Sequence, residues 1–255
     1  MIKPKALPLD DFFREVKKIG YPAVELWSPG NGLAEFVETA RKHQLRVVSM
    51  VGHSHESPQA GSHAEGFSRA HNHAHLESEL RESIDLAVRY GLPGVIVLSG
   101  HRNPGETDLE TLEICAQGLR RIAPYAEEKS VNLNMEILNT RVDHPHYVCD
   151  RVDWAVALCQ RVGSSRVRIL FDIYHVQIME GDIIRNLRKA MPWIGHFHTA
   201  GNPGRHDMND EQELNYRGIC RAISAAGYRL YVGHEFKPQG DPIQALRETF
   251  EMCNV

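Results

Sequence analysis

The segment RVRILFD, residues 166–172, is a short apolar run that ends in a carboxylate. Branched and aromatic residues of this kind are typical of a β-strand, and the acid stands where that strand would end. Three other runs have the same form: NLNMEIL (132–138), WIGHFHTA (193–200) and LYVGHEF (230–236). The polar residues at or near the ends of the four runs are Glu136, Asp172, His198 and Glu235. Successive runs are separated by about one strand-plus-helix unit, roughly 30 residues, which predicts a parallel sheet.

Strand-like and helix-like segments alternate along the rest of the chain as well. Further strands are predicted at Lys3–Leu7, which is poorly marked, and at AVELW, RVVSMVG and GVIVLSG. Helices are predicted at LDDFFREVKKIG, LAEFVETARKHQ, and residues 75–90, 109–129, 147–162, 183–190, 214–226 and 242–252. Seven clear strands and one poorly marked strand favour a single α/β (β/α)8 TIM barrel with its active site at the C-terminal rim. No linker or low-complexity tract divides the chain, so we expect residues 1–255 to form one domain.

The composition argues against several classes of partner. The formal net charge is −4, whereas a protein that holds nucleic acid through its phosphates usually carries a basic surface. No apolar stretch approaches the roughly 20 residues of a membrane span, and the first residues have no secretory apolar region. The 5 cysteines form no CxxC pair, as expected of reduced thiols in a cytoplasmic enzyme. Association into a homo-oligomer is left open.

The four strand-end residues are expected to meet in space, because the carboxyl ends of parallel strands converge on one rim of a barrel. Three carboxylates and one imidazole make an oxygen-rich site that suits one divalent cation. Any one of these residues could instead cap a helix or pair with a lysine. Four of them on successive strand ends favour a catalytic metal centre over a structural one.

Two other side chains near this rim are candidates for substrate contacts. His175 lies three positions after Asp172, and it could bind a second metal, hydrogen-bond a substrate oxygen or simply pack at the rim. Arg205 follows a Pro-Gly turn, and its charged fork suits a substrate carboxylate or hydroxyl pair. The alternative for Arg205 is a surface ion pair with Asp207.

Two long polar loops are also predicted at the rim, from His53 to about residue 72 and over residues 199–213. Long loops at this end of a barrel usually carry substrate contacts or lids. His53 and His101 each follow a strand and point to the same rim. Each of the two is either a site residue or a solvated loop residue.

Several longer motifs resemble the hydroxypyruvate isomerase family, within the xylose-isomerase-like (AP endonuclease 2-type) barrel superfamily. The motifs are EILNTRVDHP, FDIYHVQIMEGD, IGHFHTAGNPGRHD, ELNY and YVGHEF. They cover about residues 130–240, whereas the N-terminal half resembles the family mainly in its alternation of strands and helices. The resemblance implies that Glu136 and Glu235 are metal ligands and the catalytic acid–base pair, and that Asp172 and His198 complete the coordination.

The same resemblance suggests substrate contacts and a substrate class. His175 and Arg205 match substrate-contacting positions of the related ketose 3-epimerases, and Asn139, Glu213, His53 and His101 are counted with them as candidates. Hydroxypyruvate isomerases have Gln where this chain has His198, whereas ketose 3-epimerases have His. Because this chain has His198 rather than Gln, two functions stay open: an isomerase and an epimerase of a small hydroxy-carbonyl compound or sugar.

The chemistry implied is proton transfer between the two glutamates and a metal-bound enediolate of the substrate. Mn²⁺ or Mg²⁺ is the expected ion, with Co²⁺ and Zn²⁺ as alternatives. The same chemistry could expel a leaving group, which would make the protein a lyase acting on a 3-keto sugar or glycoside. An AP endonuclease-type phosphodiesterase is disfavoured, because Glu211 and Glu213 stand where its Asp-x-His pair would be. A non-catalytic sugar-binding relative is disfavoured because no ligand or acid–base glutamate is missing.

Overall fold

The computed structural model describes residues 2–27, 32–54 and 63–255. Within these ranges strands and helices alternate as the sequence predicts, except that two helices follow the fifth strand. The strands are β1 Ala23–Leu26, β2 Arg46–Met50, β3 Gly94–Val97, β4 Asn132–Glu136, β5 Val167–Asp172, β6 Ile194–Thr199 and β7 Val232–His234. The helices are α1 Leu9–Ile19, α2 Leu33–Lys42, α3 His73–Tyr90, α4 Asp108–Lys129, α5 Val152–Val162, α6 Ile173–Met179, α7 Ile183–Ala190, α8 Tyr216–Ala225 and α9 Pro242–Cys253.

All strand pairings between the named strands are parallel and follow chain order. Strand β1 pairs with β2, and β3 to β7 form a continuous five-stranded sheet in sequence order. Among the described residues, a parallel bridge between Val51 and Ile96 links the two groups. A sheet of this order, curled with helices outside it, is a parallel α/β barrel, as predicted. The described helices include none that combines the length and apolar character needed to cross a membrane.

The opening strand predicted at Lys3–Leu7 is wrong, because this segment forms a turn before α1. The backbone N–H of Leu7 donates to the carbonyl of Pro4 at 3.1 Å. The ammonium group of Lys3 donates to the carbonyls of Pro4 and Leu7 at 2.9 and 2.6 Å. Pro4 and Pro8 have no N–H to donate to a strand ladder, which explains why the segment turns.

Helices differ from the prediction in two places that matter for the site. The predicted helix over residues 147–162 begins only at Val152, so the chain between Glu136 and α5 is a loop at the rim. Helix α6 was not predicted, and it begins directly after Asp172, whose carboxylate caps it by accepting from the backbone N–H groups of Tyr174 and His175. Asp172 therefore both ends β5 and caps the N-terminus of α6.

The interior of the barrel is polar along β4. Successive side chains of a strand point to opposite faces, so Asn134 and Glu136 share one face while Leu133 and Met135 share the other. A Cβ atom at Gly94 would lie 2.7 Å from the Asn134 amide nitrogen. A Cβ atom at Gly195 would lie even closer to the Asn134 amide oxygen. Glycines on β3 and β6 thus leave room for a polar residue below Glu136.

We expect Leu119→Ala to destabilise the protein by about 2–5 kcal/mol, because Leu119 is fully buried in α4 and its truncation leaves a cavity. Leu109→Ala, in the first turn of the same helix, is the matched control. Leu109 is 65% exposed, so its truncation should change the free energy of unfolding by no more than about 0.5 kcal/mol. Urea unfolding of both variants measures the difference, and equal losses would contradict this packing.

Candidate functional site

The structure brings the four strand-end residues together inside the rim. Glu136 and Asp172 are the last residues of β4 and β5, His198 lies one residue before the end of β6, and Glu235 follows β7. One ligand atom from each of the four lies within 4.8 Å of the others. Strand pairing explains this, since Asp172 is opposite His198, and His198 is opposite Gly233, two residues before Glu235. Their role as ligands remains a prediction.

Three atoms at the centre of this group have no hydrogen-bond partner among the described residues. They are Oε1 of Glu136, Nδ1 of His198 and Oε1 of Glu235, and all three are buried. Nδ1 of His198 faces Oε2 of Glu235 at 3.1 Å and Oε1 of Glu136 at 3.6 Å, but neither approach makes a hydrogen bond. Buried polar atoms are normally paired. A shared cation would satisfy all three, so the donor set fits a divalent ion.

The electrostatics of Asp172 are dominated by its burial. Burial, with smaller contributions from the neighbouring Glu235 and Glu136, raises the pKa of its carboxyl to about 7. Arg205 and His198 act in the opposite direction. In the absence of a metal, the side chain therefore takes up a proton as the pH falls through about 7. A bound divalent cation would favour the ionised form.

Sequence reasoning missed the residue beneath His198. Glu25, on β1, accepts hydrogen bonds from Nε2 of His196 at 2.8 Å and from Nε2 of His198 at 2.9 Å. Its side chain is 23% exposed. Burial alone would raise the pKa of Glu25, but the two imidazoles outweigh it and hold that pKa well below its usual range. The sequence carried two signals: an acid inside an apolar strand, and histidines two positions apart on one face of β6.

Arg205 lies over the site, held by a tight turn. Its backbone has a positive φ of 59°, and its carbonyl accepts from the N–H of Lys237 at 2.7 Å. The guanidinium donates to Oε2 of Glu235 at 2.7 Å and lies 5.7 Å from the ring centre of Tyr174. The alternative of a surface ion pair with Asp207 is not seen, because Arg205 is 9% exposed and pairs with Glu235 instead.

His175 presents a defined hydrogen-bond donor to the site. Its Nδ1 accepts from the backbone N–H of Asn139 at 3.1 Å, so in the neutral ring the proton is on Nε2. Burial, with Arg205 nearby, holds the pKa of His175 well below its usual range, so the ring is neutral. Nε2 is buried, has no hydrogen-bond partner among the described residues, and lies 3.7 Å from Oδ2 of Asp172. A substrate oxygen could accept this N–H.

Asn139 contacts His175 through both its backbone and its side chain. Its side-chain oxygen accepts from the backbone N–H groups of Val142 and Asp143, which closes a turn. Its amide nitrogen lies 2.6 Å from Asp143 Oδ2 and 2.7 Å from His175 Nδ1. Tyr174 donates to the same carboxylate oxygen at 2.9 Å. This network fixes the loop after β4 against α6.

The other predicted substrate contacts are placed around the rim. His53 is buried, and its two ring nitrogens bond to the backbone N–H of Leu98 at 3.0 Å and the carbonyl of Ser54 at 2.7 Å. The ring of His101 lies 6.0 Å from that of His146. Glu213 accepts from Gln177 at 3.1 Å and from the Asn202 side chain, and so braces the loop that carries Arg205. Residues 55–62 of the first long loop lie outside the described residues.

His144 is a second residue that sequence reasoning missed. Its ring centre lies 4.6 Å from that of His63 and 5.4 Å from that of His175. Nε2 is buried without a hydrogen-bond partner in the described parts of the chain. Burial, with Arg205 nearby, lowers the pKa of His144 to about 4. It therefore offers a neutral imidazole next to the proposed substrate donor.

Comparison with known proteins identifies the family. Residues 13–254 match the family described as xylose isomerase-like TIM barrel. The chain belongs to this family. A human protein provisionally named a hydroxypyruvate isomerase is 30% identical over 237 residues, covering 89% of this chain and 83% of that protein. A 2-oxo-tetronate isomerase from Cupriavidus necator is 33% identical over 168 residues, covering 64% of each. The chain is an enzyme of this isomerase group.

Solved structures agree with the fold. The crystal structure titled AP endonuclease, family 2, from Brucella melitensis has a TM-score of 0.83 and 27% identity, covering 97% of this chain and 94% of that one. The 3-keto-D-glucoside 4-epimerase YcjR from E. coli has a TM-score of 0.80 and 18% identity, covering 99% and 97%. At 18% identity the second likeness shows the fold alone.

The raised pKa of Asp172 predicts a pH-dependent effect on stability. The folded metal-free protein keeps this proton up to about pH 7, whereas the unfolded chain releases it near 3.8, so stability falls as the pH rises through this window. Asparagine at position 172 cannot ionise, so Asp172→Asn removes this loss of stability at high pH. We expect it to raise the Tm of the metal-free protein by several degrees at pH 8, with the gain shrinking towards pH 4.

Thermal melts with a chelator at several pH values test this expectation. Asp241→Asn is the matched control, because Asp241 also caps a helix, by accepting from the Ile243 N–H at 2.8 Å, but it is exposed. A gain for Asp172→Asn that is the same at pH 5 and pH 8 would show that the buried proton is not responsible.

Proposed function

We propose that the protein is a divalent-metal-dependent isomerase of a small hydroxy-carbonyl compound, similar to hydroxypyruvate or a 2-oxo-tetronate. The observation that carries the proposal is the group of three carboxylates and one imidazole, in which Oε1 of Glu136, Nδ1 of His198 and Oε1 of Glu235 are buried without a hydrogen-bond partner among the described residues. The relatives named as isomerases supply the reaction class. The net negative charge of the chain and the burial of the site residues support a small-molecule substrate.

Glu136, Asp172, His198 and Glu235 would hold the ion. Mn²⁺ or Mg²⁺ suits this oxygen-rich set best, with Co²⁺ and Zn²⁺ as alternatives. When bound, such an ion polarises a substrate carbonyl and so acidifies the neighbouring C–H group. The protein supplies the rest of the chemistry: groups that move the proton, and groups that orient the substrate oxygens.

Glu136 and Glu235 are the proposed proton carriers. Burial raises the pKa of Glu235, but His198 and Arg205 outweigh it and lower that pKa overall, so this carboxylate is ionised and able to accept a proton. Glu136 is 1% exposed, and the unpartnered Oε1 faces the same space. One glutamate would remove the proton from the hydroxyl-bearing carbon next to the carbonyl, and the other would deliver a proton to the former carbonyl carbon. The hydroxyl proton would pass to the former carbonyl oxygen. Positioned groups of this kind contribute about 10²–10⁴-fold.

His175 and Arg205 would orient the substrate. The Nε2–H of neutral His175 can donate to a hydroxyl or carbonyl oxygen without adding charge. Arg205 is the cation at the mouth of the site and can pair with a carboxylate or a diol. Holding the reacting oxygens in this way reduces the entropy lost in the proton transfer.

A ketose 3-epimerase is the second candidate function, and one residue favours it. His198 is the residue that the ketose 3-epimerases have at this position, where hydroxypyruvate isomerases have Gln. Epimerisation uses the same two glutamates, with the proton returned to the same carbon from the opposite face. Incubation with hydroxypyruvate, a ketose and a 3-keto-glycoside, followed by product analysis, distinguishes the isomerase, the epimerase and a lyase.

Removing the metal should abolish activity and leave the fold intact, because the core of the barrel does not depend on the ion. We expect EDTA-treated protein to keep its far-UV circular dichroism at room temperature and to recover activity when Mn²⁺ is added back. Mn²⁺ at about 100 times its Kd should stabilise the protein by roughly 2.7 kcal/mol, seen as a higher Tm. Cooperative unfolding by EDTA at room temperature would instead indicate a structural metal.

Glu136→Gln and Glu235→Gln should each reduce kcat by about 10³-fold or more, because each keeps the side-chain shape but loses a proton acceptor and weakens a ligand. Glu180→Gln is the matched control. Glu180 is a carboxylate that accepts from the Val152 N–H at 2.7 Å, and no described contact joins it to the site. Its substitution should leave kcat within about twofold of the wild type.

Solvent deuterium provides an independent readout of the same mechanism. Turnover in D₂O should place deuterium on the substrate carbon next to the carbonyl, since a proton on a glutamate can exchange with solvent. Product formed with no deuterium, together with near-normal turnover of Glu235→Gln, would exclude the paired-glutamate mechanism. A hydride shift would then replace it.

A further inference from the structure

The contact between Glu25 and His198 crosses the barrel interior. Glu25 comes from β1 and His198 from β6, and their side chains meet with Oε2 and Nε2 2.9 Å apart. Strand β7 makes room for the carboxylate, because a Cβ atom at Gly233 would collide with Oε1 of Glu25. A glycine at this point of β7 is therefore required for the acid to reach its partner.

The carboxylate determines which nitrogen of His198 carries a proton. An ionised carboxylate can only accept hydrogen bonds. Each oxygen of Glu25 takes one imidazole nitrogen, Nε2 of His196 and Nε2 of His198, so both nitrogens must be N–H donors. In neutral His198 the lone pair is then on Nδ1. This is the atom that faces Glu136 and Glu235.

The orientation of the ring is fixed as well as its tautomer. His196 and His198 lie edge to face, with ring centres 5.1 Å apart and an interplanar angle of 80°. Because His196 bonds the other oxygen of the same carboxylate, Glu25 is held by two partners and cannot rotate away from His198. A hydrogen-bonded acid behind a ligating imidazole is known to raise ligand basicity and metal affinity.

We propose that Glu25 is a positioning residue that holds His198 in the tautomer and orientation needed to bind the divalent cation through Nδ1. This inference rests on the proposed metal-dependent function. Glu25 itself touches neither the reacting atoms nor the ion. Its effect is on the affinity of the site for the metal, and through that on the metal concentration that the enzyme needs.

The test is the affinity of the metal-free protein for Mn²⁺, measured by calorimetry. Glu25→Gln should weaken binding by about 10–100-fold, because an amide cannot accept from both imidazoles and must present its NH₂ group to one of them. Glu180→Gln, a matched loss of carboxylate charge outside the site, should bind within threefold of the wild type. A Glu25→Gln affinity within threefold of the wild type, with the variant folded, overturns the inference.

Nitrogen NMR of wild-type protein loaded with Zn²⁺ gives a readout that does not depend on any variant folding. The expected result is a proton on Nε2 of both His196 and His198, with Nδ1 of His198 bound to the metal. A proton on Nδ1 of His198 would overturn the inference. So would a second ion per chain held by Glu25 and the two histidines. If the wild type binds no divalent ion, the proposed function itself fails, which is a different outcome from these.

Discussion

The burial of three carboxylates at one point of the rim is the constraint on which the rest of this site depends. Glu136 and Asp172 are each 1% exposed, and Glu235 joins them at the same point of the rim. Ionised groups so close together and so far from water need compensating positive charge. The chain itself provides Arg205, bonded to Glu235, and, while no metal is bound, the protonated imidazole of His198. Burial nevertheless keeps the pKa of Asp172 raised, and a bound divalent cation would favour its ionised form.

The barrel supports the site by fixing the tautomers of two histidines, His175 and His198, through contacts on the side of each ring that faces away from the site. The backbone N–H of Asn139 sets the tautomer of His175, and the carboxylate of Glu25 sets that of His198. In both cases the nitrogen turned away from the site is engaged, and the nitrogen turned towards it has no hydrogen-bond partner among the described residues. The two rings nevertheless differ in what they offer. His175 presents an N–H that suits a substrate oxygen, whereas His198, once Nδ1 has lost its proton, presents a lone pair that suits a metal.

The sequence predicts the parts of the site that follow from strand ends, and it does not predict partners that meet across the barrel. The acids and His198 could be found because a parallel sheet brings successive strand ends to one rim. Glu25 is far from His198 in the chain, and only closure of the barrel brings them together. Likewise His53 has the position expected of a rim residue, but its ring nitrogens bond to the backbone of Leu98 and Ser54, a detail no pattern of residue types reveals.

Glu235 and Glu136, the two proposed proton carriers, differ in their access to solvent. This difference gives them different roles in proton exchange. Glu235 is 13% exposed and bonded to Arg205, so its carboxylate lies on the solvent side of the site. Glu136 is sealed in the interior, and the main chain next to it is tied down by the Tyr147 hydroxyl, which donates to its carbonyl at 3.1 Å. A proton on Glu235 can therefore exchange with water more readily than one on Glu136. Under the proposed mechanism, the carbon face served by Glu235 is the one that acquires solvent hydrogen first, while transfer through Glu136 retains more of the substrate's own proton.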